Sequence, residues 1–291
     1  MKIKKPSFSI SIDLELAWGV WDIINPTLLK NAINLEREIV NNLLNIFEDY
    51  LTPVTWATVA ALLDSNNKMV NFGDKKAWYA PDIIEKIFNS KIKHLIASHS
   101  YSHINFKENN KNVICEDFEK AEYYFKIHNI KTDVLIFPRN KIEHLDLLNK
   151  FNYKYYRGLD KSWYKEISKY NKFLGKIANI SDKILPIATN SIKPTMHQSG
   201  LVEIPTSMLL ISRNGFKIPV TNKNMLFKVK KGIEAAIKKN ECFHLWFHPS
   251  NFYFKSKKQF ELLKDILKFV NSKREKGLID IKLLDELSFV N

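Results

Sequence analysis

Short apolar runs alternate with longer stretches of helical periodicity along most of the chain. Residues 7–13 and 54–59 are apolar and rich in β-branched or aromatic side chains, as in buried strands. Between them, residues 29–50 carry apolar side chains three and four positions apart, which predicts an amphipathic helix. Strand and helix alternate in this way up to residue 157. This order predicts a parallel sheet covered by helices, either open or closed into a barrel.

The regular pattern breaks once, in the second half of the chain. Residues 161–200 are rich in Lys and Asn and show little periodicity, which predicts an irregular insertion over one end of the sheet. Strand-like and helix-like segments return at residue 201 and continue to residue 283. Because no linker is long or Gly-rich enough to separate two domains, we expect a single domain over residues 1–291, with about seven strand and helix units.

The composition narrows the classes of partner. The 291 residues are 45% hydrophobic, which is enough apolar material for one large core. The formal net charge of +14 suits an anionic partner such as a nucleotide sugar, a lipid pyrophosphate or a phospholipid surface, although a lysine-rich proteome would give the same charge. The basic residues are scattered, and no helix-turn-helix, RNA-recognition or zinc-finger pattern is present. We therefore expect no nucleic-acid partner.

The first residues resemble the start of a secretion signal but do not continue as one. Lys2, Lys4 and Lys5 precede an apolar run, and Asp13 and Glu15 interrupt this run before it reaches the length of a signal peptide. No stretch approaches the roughly 20 uncharged apolar residues of a membrane span. We expect a cytoplasmic protein without a transmembrane segment, for which peripheral contact with a membrane stays open.

Two acidic residues come at the end of the first predicted strand. Asp13 and Glu15 are two positions apart, so on a strand they point to the same face. The carboxyl ends of strands are where α/β folds place their functional sites. Two neighbouring carboxylates repel each other unless a cation or a shared proton lies between them. Taken alone, such a pair is more often an exposed strand end.

Two histidines follow the predicted strand at residues 92–98. His99 and His103 are four positions apart, so on a helical turn they would share one face and could bind one ion through both imidazoles. Chance pairs with this spacing are common on protein surfaces. The position of this pair, directly after an apolar strand, makes a functional role as good an interpretation as a chance one.

Two further strands end in candidate residues. His248 follows the predicted strand at residues 242–247, whereas His244 lies near the start of that strand and is expected to be a hydrogen-bonded core histidine. Arg139 follows Pro138 at the end of the strand at residues 133–137, where a guanidinium can hold a carboxylate through two hydrogen bonds. Because these groups all follow strands of one parallel sheet, we expect them to form one site.

Taken together, the motifs resemble the polysaccharide deacetylase family, which shares the NodB homology region and corresponds to carbohydrate esterase family 4. The segment 99–103 matches the family pattern H-[ST]-x-x-H at every fixed position, and the segment 11–15 occupies the place of the acidic first motif. The segment 247–249 resembles the Leu-His-Pro motif, and the segment 137–140 resembles the arginine motif with its order altered. The segment 78–82 resembles a subgroup found in surface-polysaccharide biosynthesis. The resemblance implies a distorted (β/α) barrel.

The resemblance also implies roles for individual residues. It implies that Glu15, His99 and His103 bind a metal ion. It implies that Asp13 is the general base, oriented by Arg139, and that His248 is the general acid. It also implies that Asp160 and Trp163 bind substrate. Trp18 falls just past a predicted strand end and could stack on a sugar ring. Two imidazoles and one carboxylate suit Zn²⁺, and they also suit Co²⁺, Ni²⁺ or Fe²⁺.

The first motif departs from the family pattern, in which two Asp are adjacent. Here the acids are two apart and the second is Glu15, so its metal role stays open. The implied reaction is removal of an N-acetyl group from an amino sugar in a cell-surface polysaccharide precursor, carried by a nucleotide or a lipid. The alternatives are a deformylase or a ureide amidohydrolase on the same scaffold, and a carbohydrate-binding protein without catalytic activity.

Overall fold

The computed structural model describes residues 2–3, 5–23, 30–160, 164–184, 190–212, 220–287 and 289–290. Its α-helices are α1 (Lys30–Asp49), α2 (Pro81–Phe88), α3 (Lys111–Ile127), α4 (Asp146–Lys150), α5 (Tyr164–Tyr170), α6 (Lys172–Ile184), α7 (Asn222–Lys239) and α8 (Ser256–Glu275). Its strands are β1 (Lys2–Ile3), β2 (Ser7–Leu14), β3 (Thr55–Thr58), β4 (Leu95–Ser98), β5 (Val134–Leu135), β6 (Tyr155–Arg157), β7 (Thr195–Met196), β8 (Val202–Ile204), β9 (Met208–Leu209), β10 (Cys242–Phe247), β11 (Asp280–Ile281) and β12 (Phe289–Val290).

One curled sheet contains all strands except β1 and β12, which pair with each other. The strand order is β7-β8-β6-β5-β4-β3-β2-β10-β9, and β11 pairs with the first two residues of β2. Among the described strands of this sheet, β7 and β8 pair antiparallel and the other neighbours pair parallel. The predicted distorted (β/α) barrel is therefore confirmed. Several of its strands have only two or three residues, which a periodicity argument does not resolve.

The central strand β2 is buried along its whole length. Phe8, Ile10 and Ile12 belong to the large core cluster that includes side chains of α1, α7 and α8. Ser11 points to the opposite side, where its hydroxyl lies 2.8 Å from the Nε2 atom of His244. Because side chains alternate along a strand, Asp13 shares the interior face with Ser11. This alternation carries a carboxylate into the middle of the fold.

The long helices agree with the sequence prediction, but the region of residues 161–200 does not. This region contains α5, α6 and the short strand β7, and was expected to be irregular. Its many Lys and Asn residues hid the helical spacing of Phe173 and Ile177 on α6.

No helix in the described part of the chain is both long enough and apolar enough to cross a bilayer.

Gly232 allows α7 to approach β10 closely. It is buried, and a Cβ atom at this position would clash with the aromatic ring of Phe243. We predict that Gly232→Val lowers the free energy of unfolding by about 2 kcal/mol, because the ring or the helix must move. Urea unfolding measures this change. Lys238→Val places the same side chain at an exposed position of α7 and should leave the midpoint nearly unchanged. Equal midpoints for the two variants would contradict the prediction.

Candidate active site

The predicted acidic pair and the predicted histidines lie at one edge of the sheet, where the parallel strands end. Asp13 is within β2, and Glu15 follows this strand directly. His99 follows β4, and His248 follows β10. Their side chains approach one another to within hydrogen-bonding or ion-pairing distance. The structure thus brings together the acidic pair and the histidines that the sequence singled out.

His99 and His103 meet through a loop, not through the helical turn that their spacing suggested. Ser100 and His103 have positive φ angles of 64° and 56°, and the two imidazole centroids lie 5.1 Å apart. The hydroxyl of Ser100 accepts a hydrogen bond of 3.0 Å from the backbone N–H of His103. The left-handed backbone at these two positions folds the chain back, so that both rings face the same point.

A buried carboxylate of α3 holds this loop in place. Asp117 accepts hydrogen bonds from the backbone N–H groups of Tyr101 and Ser102, at 2.8 and 2.9 Å, and from the Ser102 hydroxyl at 2.8 Å. Burial raises its pKa, and the hydrogen bonds from the loop oppose this shift. No sequence pattern pointed to Asp117, because it lies on a helix and reaches the loop only through packing.

Glu15, His99 and His103 place three potential metal-binding atoms close together. The Oε1 atom of Glu15 lies 3.0 Å from the Nε2 atoms of both histidines. The Nδ1 atom of His99 lies 2.6 Å from the carbonyl oxygen of Ile136. Because a carbonyl can only accept, this Nδ1 carries a hydrogen, and in the neutral ring Nε2 presents a lone pair to Glu15. A lone pair facing a carboxylate requires a cation or a proton between them, so the residues fit a divalent ion.

Asp13 is held by Arg157 at the end of β6. The guanidinium donates two hydrogen bonds, of 2.6 and 2.7 Å, to the two carboxylate oxygens, and both side chains are buried. Arg157 also donates to Asn140 Oδ1 at 3.0 Å and lies over the ring of Trp246, 4.4 Å from the centroid. Burial raises the pKa of Asp13, but the positive charges of Arg157 and His248 outweigh it and leave the pKa below its usual value.

The predicted contact between Arg139 and Asp13 is wrong. Arg139 forms an ion pair with Asp22 instead. The chain turns back directly after Pro138, and Arg139 and Asn140 both have a φ of 54°. This turn directs Arg139 to Asp22, while the next residue, Asn140, supports Arg157. Arg157 ends a predicted strand, so the rule used for the other site residues could have identified it.

His248 stands between the two carboxylates. Its Nε2 atom lies 3.6 Å from Asp13 Oδ2 and 3.6 Å from Glu15 Oε1. Burial lowers its pKa, but the two negative charges outweigh this effect and raise the pKa to about 9. The protonated imidazole is therefore the favoured form at neutral pH in this arrangement, and it can donate a proton.

His244 is a core histidine, as its position in the strand indicated. It is fully buried, with Nδ1 at 3.0 Å from the Pro205 carbonyl oxygen and Nε2 at 2.8 Å from the Ser11 hydroxyl. Burial and the nearby charge of Arg157 lower its pKa to about 3, so it stays neutral. It thus fixes Ser11, whose oxygen accepts a bond of 3.3 Å from Arg157.

A buried carboxyl of α1 lies behind the acidic pair. Glu36 accepts a hydrogen bond from the Tyr253 hydroxyl and another from the backbone of Leu16. Burial raises the pKa of Glu36 to about 7, and the charge of Glu15 adds to this shift. Leu16 has a φ of 49°, an uncommon conformation for a branched residue. Glu36 thus supports the turn that directs Glu15 inward, and no sequence pattern pointed to it.

The predicted substrate-binding residues have different surroundings. Trp18 is only 4% exposed, and its ring N–H donates to the Trp78 carbonyl oxygen at 3.2 Å. It nevertheless lines an open groove of about 910 Å³ beside the histidine loop, together with Tyr101 and Tyr123. Asp160 is half-buried and lies near Lys228 of α7. Burial lowers the pKa of Lys228, and the negative charge of Asp160 opposes this shift. Trp163 lies outside the described residues.

No protein-family model matches the chain, and no curated protein matches it. Solved structures do. A putative polysaccharide deacetylase from Mycobacterium smegmatis is 12% identical, with a TM-score of 0.64 over 96% of this chain and 87% of that chain. Puue allantoinase is 9% identical, with a TM-score of 0.65 over 97% and 88%. A probable polysaccharide deacetylase from Pseudomonas aeruginosa PAO1 is 9% identical, with a TM-score of 0.62 over 97% and 89%.

At these identities the likeness establishes the fold. It extends over nearly the whole length of this chain and most of each solved structure. The fold implied by the sequence motifs is therefore confirmed: the chain has the fold of the polysaccharide deacetylase and allantoinase structures.

Proposed function

We propose that the chain is a metal-dependent amide hydrolase of the polysaccharide deacetylase family, which removes the N-acetyl group of an amino sugar. One observation carries the proposal: Glu15 Oε1 lies 3.0 Å from the Nε2 atoms of His99 and His103, beside a carboxylate held by a buried arginine. A binding protein without catalytic activity has no need for two such carboxylates kept close together against their repulsion. The fold comparison and the match to H-[ST]-x-x-H support the same reaction class.

Glu15, His99 and His103 would hold the metal ion. When bound, such an ion polarises a carbonyl group and lowers the pKa of a water molecule. Zn²⁺ suits two imidazoles and one carboxylate, and Co²⁺, Ni²⁺ and Fe²⁺ remain open. Glu stands in place of the second Asp, and its longer side chain reaches both rings, which supports Glu15 as a ligand.

Asp13 and His248 would transfer the protons. Asp13, kept ionised by Arg157, accepts a proton from the attacking water as the new C–O bond forms. His248 would donate a proton to the amide nitrogen as the C–N bond breaks, since its Nε2 atom lies 3.6 Å from both Asp13 and Glu15. The products are the free amino sugar and acetic acid: one proton of the water is left on Asp13, and the other stays on the acid, which releases it to solvent to give acetate.

The substrate in this proposal is an N-acetylated amino sugar in a precursor of a surface polysaccharide. The net charge of +14 supports an anionic carrier, either a nucleotide or a lipid pyrophosphate. The groove beside Trp18 and Tyr101 would take the part of the substrate that surrounds the acetamido group. A cytoplasmic location, contact with a membrane surface, and sugar binding by Asp160 and Trp163 belong to the same proposal.

A ureide amidohydrolase is the second candidate. The two acids are separated by one residue, as in relatives of the allantoinase type, and the TM-score to Puue allantoinase equals those to the deacetylases within a few hundredths. Product analysis separates the candidates: acetate supports the deacetylase, formate a deformylase, and hydrolysis of a ureide the second candidate.

The histidine pair provides the direct test of the metal centre. We predict about one bound divalent ion per chain in the wild-type protein and its loss in His99→Ala/His103→Ala, because two of three ligands are removed. Elemental analysis of both proteins measures this, and acetate release is assayed on UDP-linked N-acetylated sugars and chitooligosaccharides. Acetate should appear only with the wild-type protein. Absence of both metal and acetate after addition of zinc, cobalt or nickel would refute the deacetylase.

The loop support by Asp117 gives a second test. We predict that Asp117→Ala weakens metal binding by about tenfold, because the loop between the two histidines loses three hydrogen bonds and the ligands are less well oriented. Competition with a chromogenic chelator measures the dissociation constant. Glu116→Ala removes the neighbouring exposed carboxylate of α3 and serves as the control. If both variants bind metal equally well, the loop does not depend on Asp117.

The two arginines give a matched pair of variants. We predict that Arg157→Lys lowers kcat/KM by about tenfold or more, because an ammonium cannot donate the two parallel hydrogen bonds that orient Asp13. Arg139→Lys should stay within about twofold of wild type, since Arg139 pairs with Asp22. Steady-state kinetics measure kcat/KM of both variants on the sugar from which the wild-type protein releases acetate. The metal content of each variant is the control. The reverse order would restore the role first expected for Arg139.

A further inference from the structure

The helices α5 and α6 form a hairpin that leaves the sheet at the same edge as the site. The chain enters α5 shortly after Arg157, the last residue of β6. The two helices cross closely at Gly175, where a Cβ atom would clash with Ser168. A buried ion pair between Asp182 of α6 and Lys228 of α7 fixes the hairpin to the body of the protein. The hairpin is therefore attached to α7 on one side.

The outer face of the hairpin is apolar and exposed. Four large side chains lie close together in sequence and are strongly exposed: Tyr170 (91%), Phe173 (70%), Leu174 (51%) and Ile177 (47%). Phe173 and Ile177 are four residues apart on α6 and so lie on one side of that helix, and Tyr170 is the last residue of α5. Single exposed apolar residues are ordinary, but a cluster of this size in a soluble assembly marks a surface that is covered in use.

Lysines border this apolar face. Lys169, Lys172 and Lys176 are exposed, and the last two lie four apart, in a row next to Phe173 and Ile177. Residues 164–184 contain five Lys and two acidic residues, and one of the acids, Asp182, is buried against Lys228. The outer face therefore combines exposed apolar side chains with positive charge.

We infer that this outer face binds the surface of an anionic phospholipid bilayer. The apolar side chains enter the boundary between headgroups and acyl chains, and the lysines contact the anionic headgroups, as in interfacial amphipathic helices. The 13 residues of α6 span about 20 Å, shorter than the hydrocarbon core of roughly 30 Å, so the helix lies on the bilayer and does not cross it. A second copy of the chain is a poorer occupant, because its lysine row would repel this one.

The membrane contact gives the proposed function a more specific substrate. The choice of substrate rests on the proposed function: a hydrolase bound to the bilayer through the outer face of the hairpin would act on an amino sugar attached to a lipid. The binding itself is independent of catalysis. A vesicle assay requires neither metal nor turnover, so its failure is distinct from a failure to release acetate.

Sedimentation with vesicles tests the inference. The full chain should sediment with vesicles of phosphatidylcholine mixed with phosphatidylglycerol, more weakly with phosphatidylcholine alone, and more weakly in added salt. Phe173→Ser/Ile177→Ser should lower the partition coefficient by about tenfold or more, since two apolar side chains no longer enter the bilayer. Lys172→Glu/Lys176→Glu should lower it by at least about fivefold per lysine, on anionic vesicles only.

A matched control uses exposed apolar residues elsewhere. Phe88→Ser/Ile127→Ser removes side chains that are 63% and 52% exposed on α2 and α3, and should bind vesicles like wild type. Circular dichroism melting checks that each variant is folded. Absence of wild-type sedimentation, or equal loss in the control and the Phe173 variant, overturns the inference. Light scattering measures the oligomeric state. If the wild-type protein is a dimer that does not bind vesicles, and the Phe173 variant is a monomer, the face is an interface between copies and the inference is overturned.

Discussion

The buried ion pair between Asp13 and Arg157 depends on the curvature of the whole sheet. Strands β3, β4 and β5 separate β2 from β6, and in a flat sheet with strands ~4.8 Å apart this would place the two residues about 19 Å from each other. The guanidinium nevertheless donates to the carboxylate at 2.6 and 2.7 Å. The sheet must therefore curl until the interior faces of β2 and β6 meet. The same curvature brings the loop after β4 towards β2, and with it the two histidines.

Burying this pair costs hydration, and the surrounding groups replace the lost water contacts. Ser11 and Asn140 accept from the guanidinium, and the ring of Trp246 covers its face. His244, the nearest histidine behind Ser11, has its pKa lowered to about 3 and so adds no second positive charge. His248 lies on the other side of Asp13 and has its pKa raised to about 9. Burial, with the guanidinium adding to it, thus favours the neutral form of His244, whereas the two carboxylates favour the protonated form of His248 at the end of the same strand.

The sequence predicted the fold class and the group of residues at the strand ends, because both follow from local patterns. A run of apolar residues locates a strand, and the residue after it lies at the functional edge whatever the remaining packing. Local patterns could not show which of Arg139 and Arg157 contacts Asp13, since both come at strand ends. That choice depends on the positive φ angles after Pro138. Glu36 and Asp117 were missed for a related reason: each lies on a helix, and its contact with the site exists only once that helix is packed.

The inferred membrane face bears on the choice between the two proposed carriers. Strand β6 ends in Arg157, which orients the proposed base, and the chain then passes into the exposed hairpin. A nucleotide-linked sugar diffuses freely, and an enzyme acting on it has no use for an exposed apolar face that binds a bilayer. A lipid-linked sugar stays at the bilayer surface, where an enzyme attached by weak interfacial contacts meets it at a high effective concentration. The net charge of +14 favours both carriers equally, whereas the exposed Phe173 and Ile177 side chains favour the lipid.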